Sequence, residues 1–370
     1  VMKWREAHIL RERNAWANAA EYEAELEGQI VRALAYIPQV GRPEPGDRVL
    51  VTSATHARGL GTGGYVMIAA LPDRLPADDD AAAAGHIVKA RYTPLQYMVM
   101  GVDEQESPYH GLLQDADSID AMPVIGADLH SALPAIVAGV HAVSPGATIA
   151  YVMSDGGALP AWFSQTAAAL KDGGHILGTI SAGQAYGGDL EAVNVHTALL
   201  AARLVWNADI AIVTQGPGNL GTDTRWGFSG TSIGEALNAA HVLGGRPIAA
   251  LRASQADARP RHLGISHHTM TVLEKVVHVP CTVVTPEIAT VADDVRAQMS
   301  GQLMELAQHE NLTLVDYPTA DLVSSLRNPP APLRTMGRTF DEDALSFLAT
   351  AAAGAYAGGL VNNEPSQPGR

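Results

Sequence analysis

The hydrophobic pattern changes character along the chain. Between residues 21 and 72, short alternating runs, EYEAELEGQIVRALAYI, GDRVLVTSA and GYVMIAALP, are punctuated by Gly, Pro and Asp. Period-two alternation places successive side chains on opposite faces of a strand, so this region predicts a small antiparallel sheet or barrel. PEPGD at 43–47 reads as a turn, because proline presets φ and glycine tolerates positive φ. ADDDAAAAG (77–85) reads as an exposed loop or linker, and HIVKARYTPLQYMVMGVDE (86–104) carries one or two strands onward.

From about residue 122 a different rhythm begins. Strands are predicted at MPVIGA (122–127), TIAYVMS (148–154), GHILGTIS (174–181), ADIAIVT (208–214), RPIAALRA (246–253), CTVVTP (281–286) and NLTLVDY (311–317). Helical patterns fall between and after them, around 130–142, 159–171, 188–206, 231–243, 266–277, 291–309 and 341–357. Strand and helix in alternation are the mark of βαβ units, hence an α/β fold with a mostly parallel sheet flanked by helices. The expected organisation is a β-rich N-terminal domain (1–90), connecting strands (91–121), an α/β Rossmann-like domain (122–360) and a disordered tail (361–370).

Composition narrows the function classes. At 370 residues and 47% hydrophobic, the chain can bury a substantial core. A formal charge of −15 repels phosphate backbones and anionic membrane surfaces at long range, which argues against nucleic acid or membrane as the main partner. The single cysteine, Cys281, excludes an intrachain disulfide and a multi-cysteine zinc site, and reads as a buried, inert thiol. The charged start VMKWREAHILRERN has no apolar h-region, and no window approaches the ~18 uninterrupted apolar residues of a membrane span. A cytoplasmic protein is expected.

In open parallel sheets, ligands sit beyond the carboxyl ends of strands. The loops expected there carry Asp128, His130 and Ser131, then Ser154 and Asp155, then Ser181, Gln184, Asp189, Glu191, Asn194 and His196. Ser131, Asp155 and Asp189 also stand where helix N-caps belong, and the two roles are compatible, since a helix start favours an anion. Four glycine-rich loops, GLGTGGY, SDGG, SAGQAYGGD and QGPGNLG, either make turns or let backbone approach a ligand.

QGPGNLGTDTRWGFSG (215–230) has the spacing of a dinucleotide turn at Gly216, Gly218 and Gly221. That turn must open a helix at once and be followed by an acid at a later strand end. Here the helical pattern waits until Thr231, and the next strand ends in Arg252, so no nicotinamide or flavin cofactor is assigned. What remains is a donor-rich loop with Asn219, Thr222, Thr224, Arg225 and Ser229, suited to an anion, with Ser229 or Thr231 able to cap the next helix. Arg225 can hold a phosphate or carboxylate, or form a surface ion pair beside a packed Trp226.

The stretch RPIAALRASQADARPRHLGISHH (246–268) holds Arg246, Arg252, Arg259, Arg261, His262, His267 and His268 against the one acid Asp257. This local charge reversal suits an anionic small molecule or an acidic face of another subunit. Adjacent helix residues diverge by about 100°, so His267 and His268 alone do not aim at one ion. A metal would need ligands from other loops, such as Asp155, Asp189, His130 or His196, and none is assigned. One of the two histidines can instead act as a general base near Ser266 or Asp223. There is no G-x-S-x-G elbow for a standard hydrolase triad.

The ordered motifs GLGTGGY, RYTPLQ, GADLHSALP, SDGGALP, GGDLEAVN, GPGNLGTDTRWGFSG and GISHH resemble a bacterial family catalogued as a domain of unknown function, number 3866. The resemblance spans about residues 2 to 350 and implies no activity and no catalytic residues. The residues themselves suggest an enzyme, a hydrolase or group transferase acting on a small anionic, phosphorylated or nucleotide-like metabolite. Asp155, Asp189, His267 and His268 are its catalytic candidates. Gly216, Gly218, Asn219, Gly221, Thr222, Thr224, Arg225, Ser229, Arg252, His130 and Ser131 are its ligand-binding candidates. The alternative is a non-catalytic ligand-binding or assembly module; a homo-oligomer fits either.

Overall fold

A computed structural model of the chain describes residues 2–60, 63–78, 85–287 and 291–362. Parts of the GLGTGGY loop, the ADDDAAAAG linker and the carboxyl tail therefore lie outside the described residues. The chain divides into two compact units, residues 1–100 with 162–168, and residues 101–161 with 169–370.

The first unit contains β1 (Trp4–Trp16), β2 (Ala19–Leu26), β3 (Gln29–Tyr36), the single turn α1 (Ile37–Val40), β4 (Arg48–Thr52) and β5 (Tyr65–Ala70). A small hairpin of β6 (Ile87–Lys89) and β7 (Tyr97–Val99) completes it. The first five strands close into a barrel in the order β1-β2-β3-β5-β4, antiparallel except for the β3–β5 pair. Closure works because β1 is long enough to pair with both β2 and β4, and register shifts after Ile9 and after Glu12 bend it around the axis. The charged amino-terminal stretch is thus a strand. Only Ala7 and Ile9 of β1 are buried, and the outward Arg and Glu residues hide its period from a reading of the sequence.

Inside the barrel Tyr22, Ala33, Ala35, Val49, Val51, Val66 and Ile68 form the core. The turn at 43–47 is present, with Asp47 N–H donating to Glu44 C=O at 3.0 Å and Gly46 at φ +93°. Fold alone assigns no ligand. The outer arginines Arg5, Arg11, Arg32 and Arg42 are paired with Glu27, Glu23, Glu21 and Glu12, so they are already engaged with carboxylates.

The second unit is built on β8 (Pro123–Ala127), β9 (Ile149–Ser154), β10 (Gly178–Ala182), β11 (Leu190–Ala192), β12 (Ile210–Gln215), β13 (Arg246–Ala250), β16 (Cys281–Pro286) and β17 (Leu312–Tyr317). These eight strands form one all-parallel sheet in the order β11-β10-β9-β12-β8-β13-β16-β17. A two-residue pair, β14 (Ala253–Ser254) with β15 (Gly264–Ile265), sits between β13 and β16 in the chain. The helices are α2 (His110–Leu113), α3 (Leu133–Val143), α4 (Gln165–Asp172, whose first half is assigned to the first unit), α5 (Val195–Leu204), α6 (Thr231–Val242), α7 (His267–Lys275), α8 (Asp293–Leu306), α9 (Leu322–Arg327) and α10 (Ala344–Asn362).

Topology sets the site. From β8 the chain moves outward to β9, β10 and β11, returns to β12 between β9 and β8, and then proceeds to β13, β16 and β17 on the other side. Right-handed crossovers in opposite directions put their helices on opposite faces. Accordingly α5 and α6 pack on one face, where Val124, Val152, Ile180 and Val213 meet Ala198, Leu199, Ala236 and Ala240. The other face is covered by α10, which touches β8, β13 and β16 and packs along α3. Each fully buried aliphatic side chain contributes roughly 1.5–3 kcal/mol, so these two layers hold the sheet.

In the second unit several elements differ from the sequence reading: β11 begins the segment read as helix 188–206, α2, α9 and the β14–β15 pair are additional, and α10 runs on to Asn362. Asn362 is fixed there by hydrogen bonds to the Ser144 hydroxyl at 2.9 Å and the Val143 carbonyl at 3.0 Å. By length and composition α10 could cross a membrane, which no uninterrupted apolar run signals, but most of it is buried inside the unit. Its small residues explain the packing: a Cβ on Gly139 of α3 would lie 2.0 Å from the Ala351 carbonyl oxygen, and one on Gly354 would lie 2.1 Å from that of Ile136. Gly139→Ala is therefore expected to destabilise the protein by about 1–3 kcal/mol through overpacking. Gly359→Ala, with open space at its Cβ, is expected to be neutral or to stabilise by up to about 1 kcal/mol. Chemical denaturation of the two variants checks this; equal destabilisation would contradict the backbone-contact account.

Candidate functional site

Because neighbouring strands send their chains to opposite faces, a crevice opens beyond the carboxyl ends of β9, β12, β8 and β13. These ends deliver Ser154–Asp155, Gln215–Gly216, Asp128 and Arg252 respectively. Asp128 is buried, and its carboxylate takes a hydrogen bond from Arg252 Nη1 at 2.7 Å. Gln215 Nε2 donates to the Asp128 carbonyl at 2.6 Å and reaches its carboxylate at 3.3 Å. Gly230, at the start of α6, leaves room for that carboxylate, since a Cβ there would lie 1.9 Å from Asp128 Oδ1. Burial pushes the Asp128 carboxyl up, but His268 and Arg252 outweigh it and hold the group below the usual carboxylate range.

His268 stands on the first turn of α7, whose start is capped by the Ser266 hydroxyl. Its Nδ1 accepts from Arg252 Nη1 at 3.1 Å and lies 3.6 Å from Asp128 Oδ2. Phe228 stacks on the ring, with centroids 4.0 Å apart and planes within 3°. His262, from the short helical turn 260–262, and His267 complete a cluster of three imidazoles with centroids 4.3–5.1 Å apart. His262 Nδ1 is bonded to Ser266 Oγ at 2.8 Å, and His267 Nε2 is buried without a hydrogen-bond partner among the described residues. Burial, reinforced by Arg252 and Arg259, pushes His262 down to about 3, and burial with His268 and Arg261 also lowers His267.

The cluster separates two spaces. On one side His262 lines a cavity of about 30 Å³ with Asp128, Ser131, Arg252, Thr335 and Arg338. That volume holds about one water. On the other side His267 lines a groove of about 590 Å³ with Arg225, Arg261, Lys275 and the acids Asp223, Glu274 and Glu305. This is the size of a small-molecule site, which runs to roughly 300–1,000 Å³. The inner cavity is braced by a second network, in which Arg338 bonds the fully buried Asp343 at 2.9 Å and Asp257 at 3.3 Å.

The structure brings Arg252, His267 and His268 together, with Arg225 on the adjoining groove. The imidazoles of His267 and His268 converge despite their 100° offset, because the side chains turn toward each other at the helix start and His262 meets them from another segment. His130 and Ser131 lie at the end of β8, bonded to Tyr151 OH at 2.8 Å and Thr335 Oγ1 at 2.9 Å. Asp155 is placed apart from the cluster: it accepts from Gln184 N–H at 2.9 Å and lines a separate pocket of about 240 Å³ with Ser154, Asn194, His196 and Glu235. Asp189 sits at the opposite, amino-terminal edge of the sheet, accepting from Thr179 N–H at 2.9 Å and paired with Lys171. Neither aspartate caps a helix, and α3 has no side-chain cap, so Ser131 is not one either; Asn194 caps α5.

The 215–230 loop spends much of its hydrogen-bonding capacity on itself. Gly221 bridges Phe228, Thr222 N–H donates to Gly227 C=O at 2.7 Å, and Gly227 N–H donates to Thr224 Oγ1 at 3.0 Å. Leu220 N–H donates to Ser229 Oγ at 3.0 Å, and that hydroxyl donates on to Asn219 Oδ1 at 2.9 Å. α6 starts at Thr231 after Gly230, with no side-chain cap from Ser229 or Thr231. Gly216 serves loop packing, since its Cβ would lie 2.1 Å from the Ala158 carbonyl, and a Cβ on Gly157 would lie 2.2 Å from that of Gly216. Gly218, at φ +98°, supplies a turn. Trp226 is exposed, not packed, and Arg225 has no ion-pair partner among the described residues. The basic excess of 246–268 is largely neutralised: Arg252 by Asp128, Arg259 by Asp257 and Arg261 by Asp223. Cys281 is buried and its thiol is pushed up to about 12, an inert group.

Fold and site together define an α/β protein with a closed barrel unit and a buried carboxylate–guanidinium–imidazole cluster at the carboxyl edge of a parallel sheet. The family model described as protein of unknown function (DUF3866) matches residues 32–354, and the chain belongs to that family. No curated protein matches the chain.

The sequence reading gives no role to Gln215 or Phe228, counts His262 only within the basic stretch 246–268, and gives Asp128 no specific role. Asp128 looks like any acid before a helix, and His262 has no periodic signal. The burial of these groups makes a sign-definite prediction. Burial lowers His130 to about 4 from an ordinary 6.5, and lowers His262 and His267, so the unfolded chain takes up these protons first. Stability is then complete above an ordinary value of 6.5 and falls as pH drops through that value toward 4. The lowered Asp128 adds a further loss at still lower pH, as its own stabilisation goes. Thermal melts across this range should show the decline, and His130→Gln should make it shallower; a flat profile would contradict the buried-imidazole account.

Proposed function

We propose that the protein is an enzyme of the hydrolase or group-transferase class that acts on a small anionic metabolite, phosphorylated or nucleotide-like. The observation that carries the reading is the cost of the cluster. A fold that needed only stability would fill the end of β8 and β13 with apolar groups. Here it buries a carboxylate, a guanidinium and imidazoles, whose desolvation is worth several kcal/mol per ion before pairing. Such groups concentrate where chemistry is done.

In this reading the substrate lies in the groove bordered by His267, with Arg225 holding its anionic group. His267 borders the reacting atoms and activates the attacking water or acceptor hydroxyl, with His262 and His268 packed behind it. Asp128 and Arg252 position His268, and Phe228 fixes its plane. A cytoplasmic setting and a homo-oligomer accord with this reading, and neither nucleic acid nor membrane is part of it.

The test is a thermal-shift screen of phosphomonoesters, nucleoside di- and triphosphates and dicarboxylates, followed by product analysis of whichever anion stabilises the protein. Arg225→Ala should weaken that binding several-fold, and His267→Gln should lower turnover by about 10²–10⁴-fold with binding largely kept. A ligand recovered unaltered after long incubation would make the protein a binding module. No stabilising anion, together with an Arg225→Ala variant identical to the parent, would overturn the reading altogether.

A further inference from the structure

We propose that His262, His267 and His268 form a three-imidazole site for one divalent metal ion of the zinc class, with its open side toward the groove that His267 borders. One nitrogen from each ring already lies within 4.8 Å of the others. A tetrahedral zinc with Zn–N bonds of ~2.0–2.1 Å needs them ~3.4 Å apart, so side-chain rotation of little more than ~1 Å closes the site. Imidazole ligands suit zinc, nickel, cobalt and copper, and three protein ligands leave a position for water or substrate.

Each ring is prepared for this role. His262 has Nδ1 engaged by Ser266 Oγ, which leaves Nε2 for the ion. His267 Nε2 is buried with no partner among the described residues, an uncompensated polar atom that a metal would satisfy. His268 is held in plane by Phe228, and its Nε2 is directed away from the Asp128–Arg252 pair. For that nitrogen to bind a cation, the proton must sit on Nδ1. Asp128 Oδ2, 3.6 Å away, is then the acceptor, and Arg252, which can only donate, gives up its contact with His268 while keeping the one with Asp128. The result is a carboxylate–histidine–metal chain, in which the carboxylate orients the ring and raises its basicity toward the ion. The charge of Arg252 does not forbid it, since the 2.7 Å contact with Asp128 already cancels that charge locally.

The site needs only the geometry of the cluster, so it stands or falls apart from the anionic substrate. Zinc chloride alone is titrated into chelator-treated, full-length protein against a chromophoric chelator. One ion per chain at sub-micromolar affinity is expected, with an X-ray absorption first shell of nitrogen at ~2.0 Å. His262→Gln and His267→Gln should each weaken binding by about 100-fold or more, and Ser266→Ala by about 10–100-fold. His241→Gln, at an exposed histidine on α6, should bind as the parent does. Cobalt(II) bound to the parent protein should give tetrahedral d–d absorption, a readout independent of how the variants fold. Absence of stoichiometric zinc binding, an octahedral cobalt spectrum, or unchanged affinity in both histidine variants would overturn the site. Zinc binding without any anion response would leave the metal site intact and the proposed reaction refuted.

Discussion

A carboxylate buried at the end of a central strand must be paired, and Asp128 is the group around which this site is arranged. It draws in Arg252 from the end of β13, Gln215 from the end of β12 and His268 from α7, so separate segments of the second unit are tied at one residue. An unpaired charge there would cost more than the pair returns, which makes each partner's position a requirement of folding as well as of chemistry. The crevice is a consequence of topology, and the pairing decides what lines it.

The glycines obey a related constraint. In the second unit several of them exist because one piece of backbone presses on another: Gly216 against Ala158, Gly139 against Ala351, Gly354 against Ile136. Gly230 makes room for the Asp128 carboxylate itself. Loops that look built to cradle a ligand are here largely packed against protein. Ligand recognition then falls to the side chains of the groove and to the imidazoles beside it.

The parallel sheet is legible in the sequence because its central strands β8, β9 and β12 are largely apolar runs between helices, as doubly covered strands require. β1 is not, because its outward face is nearly all Arg and Glu and its buried face shows only Ala7 and Ile9. Within the site, Arg252, His267 and His268 stand out through the charge reversal around them. Asp155 and Asp189 carry the same local signal as Asp128, an acid beside a glycine-rich turn before a helix. What separates them is which strand end they occupy and what faces it, and that depends on strand order, which no local pattern records. His262 becomes significant only once the turn at 260–262 folds back on α7.

The organising role of the Asp128–Arg252 pair is tested most directly by a double-mutant cycle on stability. Asp128→Asn, Arg252→Met and the double variant are unfolded with denaturant under the same conditions. Each single change strands a buried charge and should cost about 3–5 kcal/mol, while the double variant should cost clearly less than the sum of the two. Additive single effects would show that the two groups do not depend on each other, and would contradict the central place of the Asp128 carboxylate in the site.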